Sequence, residues 1–293
     1  EAPRPMPVQD FGREYRDETA PADEGADGIA LWRVLAFSPA MLATGGLVWI
    51  MAGWFGDHGI SVIEGVLLGL IAFNFFWIAF TVSTVLMGVW SLTRQAPRDR
   101  SAPAQPLSVA RLMPVYNETP WYVLGNARSM LEELKARGGR HRYALFILSD
   151  TRDEAIARQE QESVRAVQAM LSPGLELYYR RRAENTDRKV GNIADWVSRW
   201  SGDWDAMLVL DADSLMTGRA ISRLTDALSR DPAAGLIQSF PQLIGAQTIF
   251  ARMQQFANGV YGAAFAEGMA RWCGSEGNYW GHNAIIRTSA FAS

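Results

Sequence analysis

Two stretches of this 293-residue chain contain no charged side chain: Val34 to Phe55, 22 residues, and Val66 to Trp90, 25 residues. As a helix, each is long enough at about 1.5 Å per residue to cross the roughly 30 Å of hydrocarbon in a bilayer. In that solvent a segment must satisfy its own backbone N–H and C=O groups, which leaves the helix as the form for an isolated pair of spans. Pro39, Gly45, Gly46 and Gly53 would weaken a soluble helix and are tolerated in a membrane one. Trp32, Trp49 and Trp54 fall near the ends of the first run, where interfacial aromatics sit. Glu64 stands at the outer edge of the second run, and Asn74 and the Ser/Thr residues are expected to face another helix.

The loop between the runs has no Lys or Arg, whereas Arg33 precedes the first and Arg94, Arg98 and Arg100 follow the second. The positive-inside rule then puts both ends of the hairpin in the cytoplasm. The expected hairpin covers 31–92, with spans at 34–55 and 62–90, and the lipid bilayer is its first partner. Residues 1–30 hold eight acidic and three basic side chains with four prolines, and are expected to form an acidic, flexible cytoplasmic tail. No basic segment leads from it directly into an apolar core, so it does not read as a signal peptide. The proline-rich stretch 93–107 reads as a linker. A net charge of −3 gives no argument for nucleic-acid binding, and one cysteine with three histidines makes a zinc site a poor fit.

From residue 108 the pattern changes to short apolar strands alternating with helices. Strands are expected at 109–113, 143–148, 175–179, 207–210 and 235–240. Helices are expected at 121–137, 154–171, 191–200 and 220–230. That alternation predicts a mostly parallel sheet covered by helices, over 108–293. No Gly-x-Gly-x-x-Gly or Walker loop follows any of the strands, which lowers the dinucleotide and ATP readings.

The chemistry-bearing residues cluster at the strand ends, where open α/β sheets hold ligands. The run Met207 to Leu210 leads into Asp211-Ala212-Asp213. Two carboxylates at i and i+2 fit a hard cation such as Mg²⁺, which takes one or two carboxylates and completes its shell with water and phosphate. The alternative is that Asp211 merely ends the strand and Asp213 caps the helix near Gly218. After the first strand comes Met113-Pro114-Val115-Tyr116-Asn117-Glu118, after the second Ser149-Asp150, and after the third Arg188-Lys189-Val190-Gly191-Asn192. Tyr116 offers a face for a base, Glu118 or Asp150 can accept from base or ribose, and Lys189 at a helix start suits a phosphate. Taken singly, each has an equally good structural explanation as a turn tyrosine, a cap aspartate or a solvated lysine.

Pro-x-Tyr-Asn-Glu, the Asp after the second strand, Lys-x-Gly-Asn and Asp-x-Asp, in this order, resemble the processive family-two glycosyltransferases of GT-A fold, such as cellulose and hyaluronan synthases. Met113–Glu118, Phe146–Thr151, Tyr179–Asn185, Leu210–Met216 and Cys273–Arg287 are similar to the branch that makes osmoregulated periplasmic glucans. The resemblance implies a GT-A (nucleotide-diphospho-sugar transferase, Rossmann-like) α/β domain preceded by a two-helix transmembrane hairpin. It also implies UDP-glucose as donor, Mg²⁺ or Mn²⁺ as cofactor, a growing β-glucan as acceptor with β-1,2 linkage, and a multi-pass place in a bacterial inner membrane. Carried over by position, Pro114, Tyr116, Glu118, Asp150, Lys189 and Asp211 bind the donor, and Asp211 and Asp213 hold the metal. Gly281, His282 and Asn283 line the sugar and acceptor site.

This chain departs from the family in two respects. Ser149 stands where the family often has the first of two adjacent carboxylates, and neither Thr-Glu-Asp nor Gln-x-x-Arg-Trp occurs. The catalytic base and further transmembrane helices are therefore expected beyond Ser293, in a longer protein; within the chain Glu276 and His282 are base candidates by position only. Rival readings are a membrane transferase with another sugar donor or a lipid acceptor, and a non-catalytic UDP-glucose-sensing membrane protein whose acidic tail engages a cytosolic protein.

Overall fold

The structure, a computed structural model, describes residues 1–6, 28–55, 59–94 and 104–292. Most of the expected flexible tail (7–27) and of the linker (95–103) lies outside the described residues. In chain order the elements are helices α1 (Ile29–Phe55) and α2 (Val62–Arg94), strand β1 (Ser108–Val115), α3 (Pro120–Arg137), β2 (Arg142–Ser149), α4 (Glu154–Met170) and β3 (Glu176–Arg181). They continue with α5 (Arg188–Trp200), β4 (Ala206–Val209), α6 (Gly218–Arg230), β5 (Leu236–Gln238), α7 (Ile249–Ala257), α8 (Ala263–Cys273), β6 (Ala284–Arg287) and α9 (Thr288–Phe291). Two compact units result: one holds 1–22, 100–239 and 279–293, the other 23–99 and 240–278.

The first unit is a six-stranded sheet in the order β3-β2-β1-β4-β6-β5. Strands β3, β2, β1 and β4 run parallel, and β6 is antiparallel to both of its neighbours. The expected α/β architecture is therefore present, with one reversed strand. Its central strands are largely apolar because both faces are covered. On one face Val109, Met113, Leu145, Ile147 and Leu208 pack under α3, α4 and α6. On the other Ala110, Leu112, Phe146, Met207 and Val209 pack against Ile193, Trp196 and Val197 of α5.

The helix boundaries follow from local chemistry. Pro120 opens α3, where its missing N–H costs nothing. The Asp153 carboxylate accepts from the N–H groups of Ala155 and Ile156 at the start of α4, and the Thr217 hydroxyl accepts from Ala220 N–H at the start of α6. The cap of α6 is thus Thr217 and not Asp213.

In the second unit α1 and α2 are long and apolar enough to cross a membrane, with 18-residue stretches of mean hydropathy 1.8 and 2.1. They pack through Ala36, Ala40, Phe80 and Met87, with the Trp32 and Trp90 rings 5.4 Å apart. Against α2 lies α8, at backbone contact: a Cβ on Gly88 would stand 1.7 Å from the Ala264 carbonyl oxygen, and one on Gly268 2.0 Å from that of Thr84. Thr84/Gly88 and Ala264/Gly268 form facing pairs of small residues at i and i+4, the spacing that lets apolar helices approach closely. The contact is sealed by Ser91 Oγ donating to Glu267 Oε1 at 2.7 Å and Arg271 Nε donating to the same oxygen at 2.9 Å. Helices α7 and α8 are joined by a π-helical turn and had no counterpart in the sequence reading.

One buried side chain breaks the apolar pattern of the sheet. Arg111, in the middle of β1, is fully buried, and its guanidinium nitrogens have no hydrogen-bond partner among the described residues. Burial pulls its pKa down to about 10, with the nearby Tyr143 opposing weakly. An unpaired buried cation is destabilising, because the desolvation cost is not returned by any contact. Arg111→Met should therefore raise the thermal midpoint, corresponding to about 1–3 kcal/mol. A lowered midpoint in differential scanning fluorimetry would show that the guanidinium contributes to the fold.

Candidate active site

The parallel strands β1, β2 and β4 end at the same edge of the sheet, and beyond that edge lies a cavity of about 770 Å³. Pro114, Tyr116, Glu118, Asp150, Lys189, Asp211 and Asp213 all line it, joined by Arg152, Asn185 and Arg188. Every residue expected to bind the donor or the metal is in this group.

The β1 loop is shaped by Asn117, whose φ of 60° lies in the left-handed region that Asn tolerates. Its Oδ1 accepts from the N–H groups of Arg152 (3.2 Å) and Asp153 (3.4 Å), and its own N–H donates to Thr151 Oγ1 at 3.0 Å. That cross-bracing fixes the β1 and β2 loops to each other and leaves the Tyr116 ring 46% exposed at the rim. Tyr116 N–H donates to the Glu118 carboxylate.

Asp150 is buried, and both of its oxygens accept from Arg182, at 2.8 Å each. The same guanidinium donates to Arg188 O at 3.1 Å, so one arginine ties the end of β2 to the start of α5. Arg180 and Arg181, its neighbours on β3, reach Asp195 and Glu154 respectively. Burial, followed by the repulsion of Arg182, pulls the Arg180 pKa down to about 10.

The Lys-x-Gly-Asn segment divides its labour. A Cβ on Gly191 would come 2.2 Å from Thr186 O, so only glycine fits the tight entry to α5, where Asp187 and Arg188 also have positive φ. Asn192 is fully buried and donates to Leu148 O at 2.9 Å, anchoring α5 to β2. Lys189 Nζ donates to Asp211 Oδ1 and, at 2.9 Å, to Gly281 O.

Asp211 and Asp213 are not equivalent. Asp211 is held by Lys189, with His282 Nε2 3.8 Å from its other oxygen. Asp213 is exposed and makes no hydrogen bond or ion pair among the described residues. No cluster of three or more His, Cys, Asp or Glu suited to a metal occurs among the described residues. Two hard carboxylates still match a Mg²⁺ or Mn²⁺ ion that takes its remaining ligands from water and a diphosphate. The donor set fits that ion.

The 281–283 segment reaches this site through the return of β6. Asn283, with φ 54°, donates its N–H to Val209 O at 2.8 Å, which sets His282 beside Asp211. Tyr279, not singled out from the sequence, has its hydroxyl pKa pushed up by burial and by the Asp211 charge. Glu276 is not among the cavity residues; it belongs to the helical unit, where Arg33 of α1 binds it at 2.5 Å.

Sequence reasoning also missed Glu160. This α4 carboxylate is buried and accepts from Ser149 Oγ (2.7 Å), Thr151 Oγ1 (2.5 Å) and Tyr179 OH (2.8 Å). Burial is the main reason the Tyr179 pKa rises to about 12. Ser149 is therefore no vacancy: it points away from the cavity and helps to satisfy a buried charge. Glu160→Ala should destabilise the fold by about 2–4 kcal/mol, since the buried Ser149 and Thr151 hydroxyls and that of the half-buried Tyr179 lose their acceptor. Chemical denaturation would read the change, and a loss under 1 kcal/mol would remove Glu160 from the scaffold of the site.

With this geometry in view, residues 112–293 match the family model described as glycosyl transferase family 2. The chain belongs to that family. It is also similar along its whole length to proteins named glucans biosynthesis glucosyltransferase H. Identity is 41% over 298 residues to the one from Xanthomonas campestris pv. campestris, covering 46% of that protein. It is 41% over 302 residues for Xylella fastidiosa, covering 47%, and 40% over 310 residues for Rhodopseudomonas palustris, covering 41%. The chain thus spans about half the length of the curated relatives it matches. Among solved structures it is similar to the mannosyltransferase Ktr4p from S. cerevisiae at 9% identity and a TM-score of 0.39, over 73% of this chain and 66% of that one. That last likeness is too slight to carry an argument.

Proposed function

We propose that the protein is a membrane glucosyltransferase that moves glucose from UDP-glucose, with inversion, to a growing β-glucan, the β-1,2 backbone of an osmoregulated periplasmic glucan. The observation that carries this reading is the gathering of Pro114, Tyr116, Glu118, Asp150, Lys189, Asp211 and Asp213 around one cavity large enough for a nucleotide sugar. The 41% identity to glucosyltransferase H relatives supports glucose as the sugar.

In this reading Tyr116 stacks on the uracil, and Glu118 and the Arg182-held Asp150 accept from ribose or base. Asp211 and Asp213 would hold Mg²⁺ or Mn²⁺, which supplies positive charge where the UDP leaving group develops its negative charge. Lys189 adds a second cation beside the diphosphate. Gly281, His282 and Asn283 border the sugar. The C1–O bond to UDP breaks as a C1–O bond to the acceptor hydroxyl forms, and that hydroxyl's proton goes to a general base. Glu276 is engaged by Arg33 and His282 faces Asp211, so neither is assigned that proton.

Substituting Asp213 tests the metal role with little change of shape. Asp213→Asn should leave the thermal midpoint unchanged and weaken Mg²⁺-dependent UDP binding by roughly tenfold or more. Equal Mg²⁺-dependent affinity in calorimetry would remove Asp213 from the metal site.

The sheet unit sits on the cytoplasmic side, where UDP-glucose is made, with α1 and α2 as an N-in, C-in hairpin. The arginines flanking the hairpin support this orientation. A cysteine placed at position 57 should react with an impermeant maleimide added to intact spheroplasts, and one at position 104 should not. The reverse pattern would rule out a cytosolic donor.

A further inference from the structure

The ammonium of Lys189 is bound to Asp211, one of the two carboxylates proposed to hold the divalent ion. It donates both to Asp211 Oδ1 and to Gly281 O, and so bridges the start of α5, the end of β4 and the segment before β6. His282 Nε2, 3.8 Å from Asp211 Oδ2, sits on the other side of the same carboxylate. Asp213, two residues on, has no such partner among the described residues.

We propose that Lys189 is a resident cation on Asp211, which keeps a divalent ion out of the site until a nucleotide diphosphate arrives with it. The inference rests on the metal reading of Asp211 and Asp213 above. A dication approaching the two carboxylates alone meets one that is already neutralised, and it comes up against an ammonium of the same sign. Lysine and metal compete for Asp211. A diphosphate changes the balance, because it offers the ammonium another anion within the same cavity. Lys189 then moves from carboxylate to phosphate while the metal takes Asp211, and no charge is left unpaired during the exchange.

The second hydrogen bond of Lys189 gives the exchange a structural consequence. Its release from Gly281 O frees a segment in which Gly281 has φ 95° and Asn283 φ 54°. That segment stays anchored by Asn283 N–H on Val209 O and by the Trp280 N–H on Gln238 Oε1. Donor entry is thereby linked to the side of the cavity that borders the sugar.

The test is Mn²⁺ binding by the full chain in detergent, read from the electron paramagnetic resonance signal of free Mn²⁺, with and without UDP. Without UDP, Lys189→Met should bind Mn²⁺ about fivefold more tightly than the unaltered protein, the scale expected for removing one half-exposed competing ion pair. With saturating UDP that advantage should vanish, since Lys189 then assists binding. Lys189→Arg, which keeps the cation, should behave like the unaltered protein, and Lys189→Gln replaces the Met variant if that one does not fold. Equal or weaker Mn²⁺ affinity of Lys189→Met without UDP, while the unaltered protein binds Mn²⁺ with UDP, overturns the lysine role and leaves the metal reading standing. Absence of Mn²⁺ binding by the unaltered protein even with UDP overturns the metal reading as well.

Discussion

Parallel pairing of β2, β1 and β4 is the constraint on which the site depends. Parallel neighbours must end at the same edge, so the residues at and just beyond their ends, 114–118, 149–150 and 211–213, arrive together although they are far apart in sequence. A parallel sheet also has to be buried on both faces. The core supplies this with α3, α4 and α6 over one face and α5 over the other. Pro114, Tyr116, Glu118, Asp150, Lys189, Asp211 and Asp213 gather around the cavity at that edge.

The loops at that edge are bound to one another. Asn117 braces the first two loops, Arg182 joins the second to α5, and Lys189 joins α5 to β4 and to the segment before β6. Three consecutive arginines on an edge strand would repel one another if left free. Here each has its own carboxylate: Asp195, Glu154 and Asp150. Alternation along the strand sends the middle one to the opposite side, and this separation makes the triplet tolerable.

Much of this was legible in the sequence because the relevant signals are local. Uncharged runs gave α1 and α2, the strand–helix alternation gave the sheet and its cover, and the residues at strand ends gave the cavity lining. What escaped depended on distant partners. Glu160 reads as one more polar residue of an amphipathic helix until Ser149, Thr151 and Tyr179 are seen to converge on it. Helix α7 is separated from β5 by residues 239–248 and leaves Ile249, Phe250, Met253 and Phe256 exposed, so its pattern does not announce a core-facing stripe. The one readable clue was Ala264 with Gly268, a small-residue pair that gains meaning only beside Thr84 and Gly88. Strand β6, absent from the expected strands, and its reversal were likewise hidden, since Ala284-Ile285-Ile286-Arg287 is a short run that carries no direction.

The place of β6 in the sheet sets an order of assembly. Strand β5 has β6 as its neighbour and does not touch β4, yet β6 is made after it, once the chain has gone through α7 and α8. During synthesis β1 to β4 can pair as they emerge, whereas β5 waits with its edge open until residues 284–287 slot in between. The last strand to arrive also delivers Gly281 and His282 to Asp211. A nascent chain halted between β5 and residue 281 would thus hold the four parallel strands without the segment that brings Gly281 and His282 to Asp211.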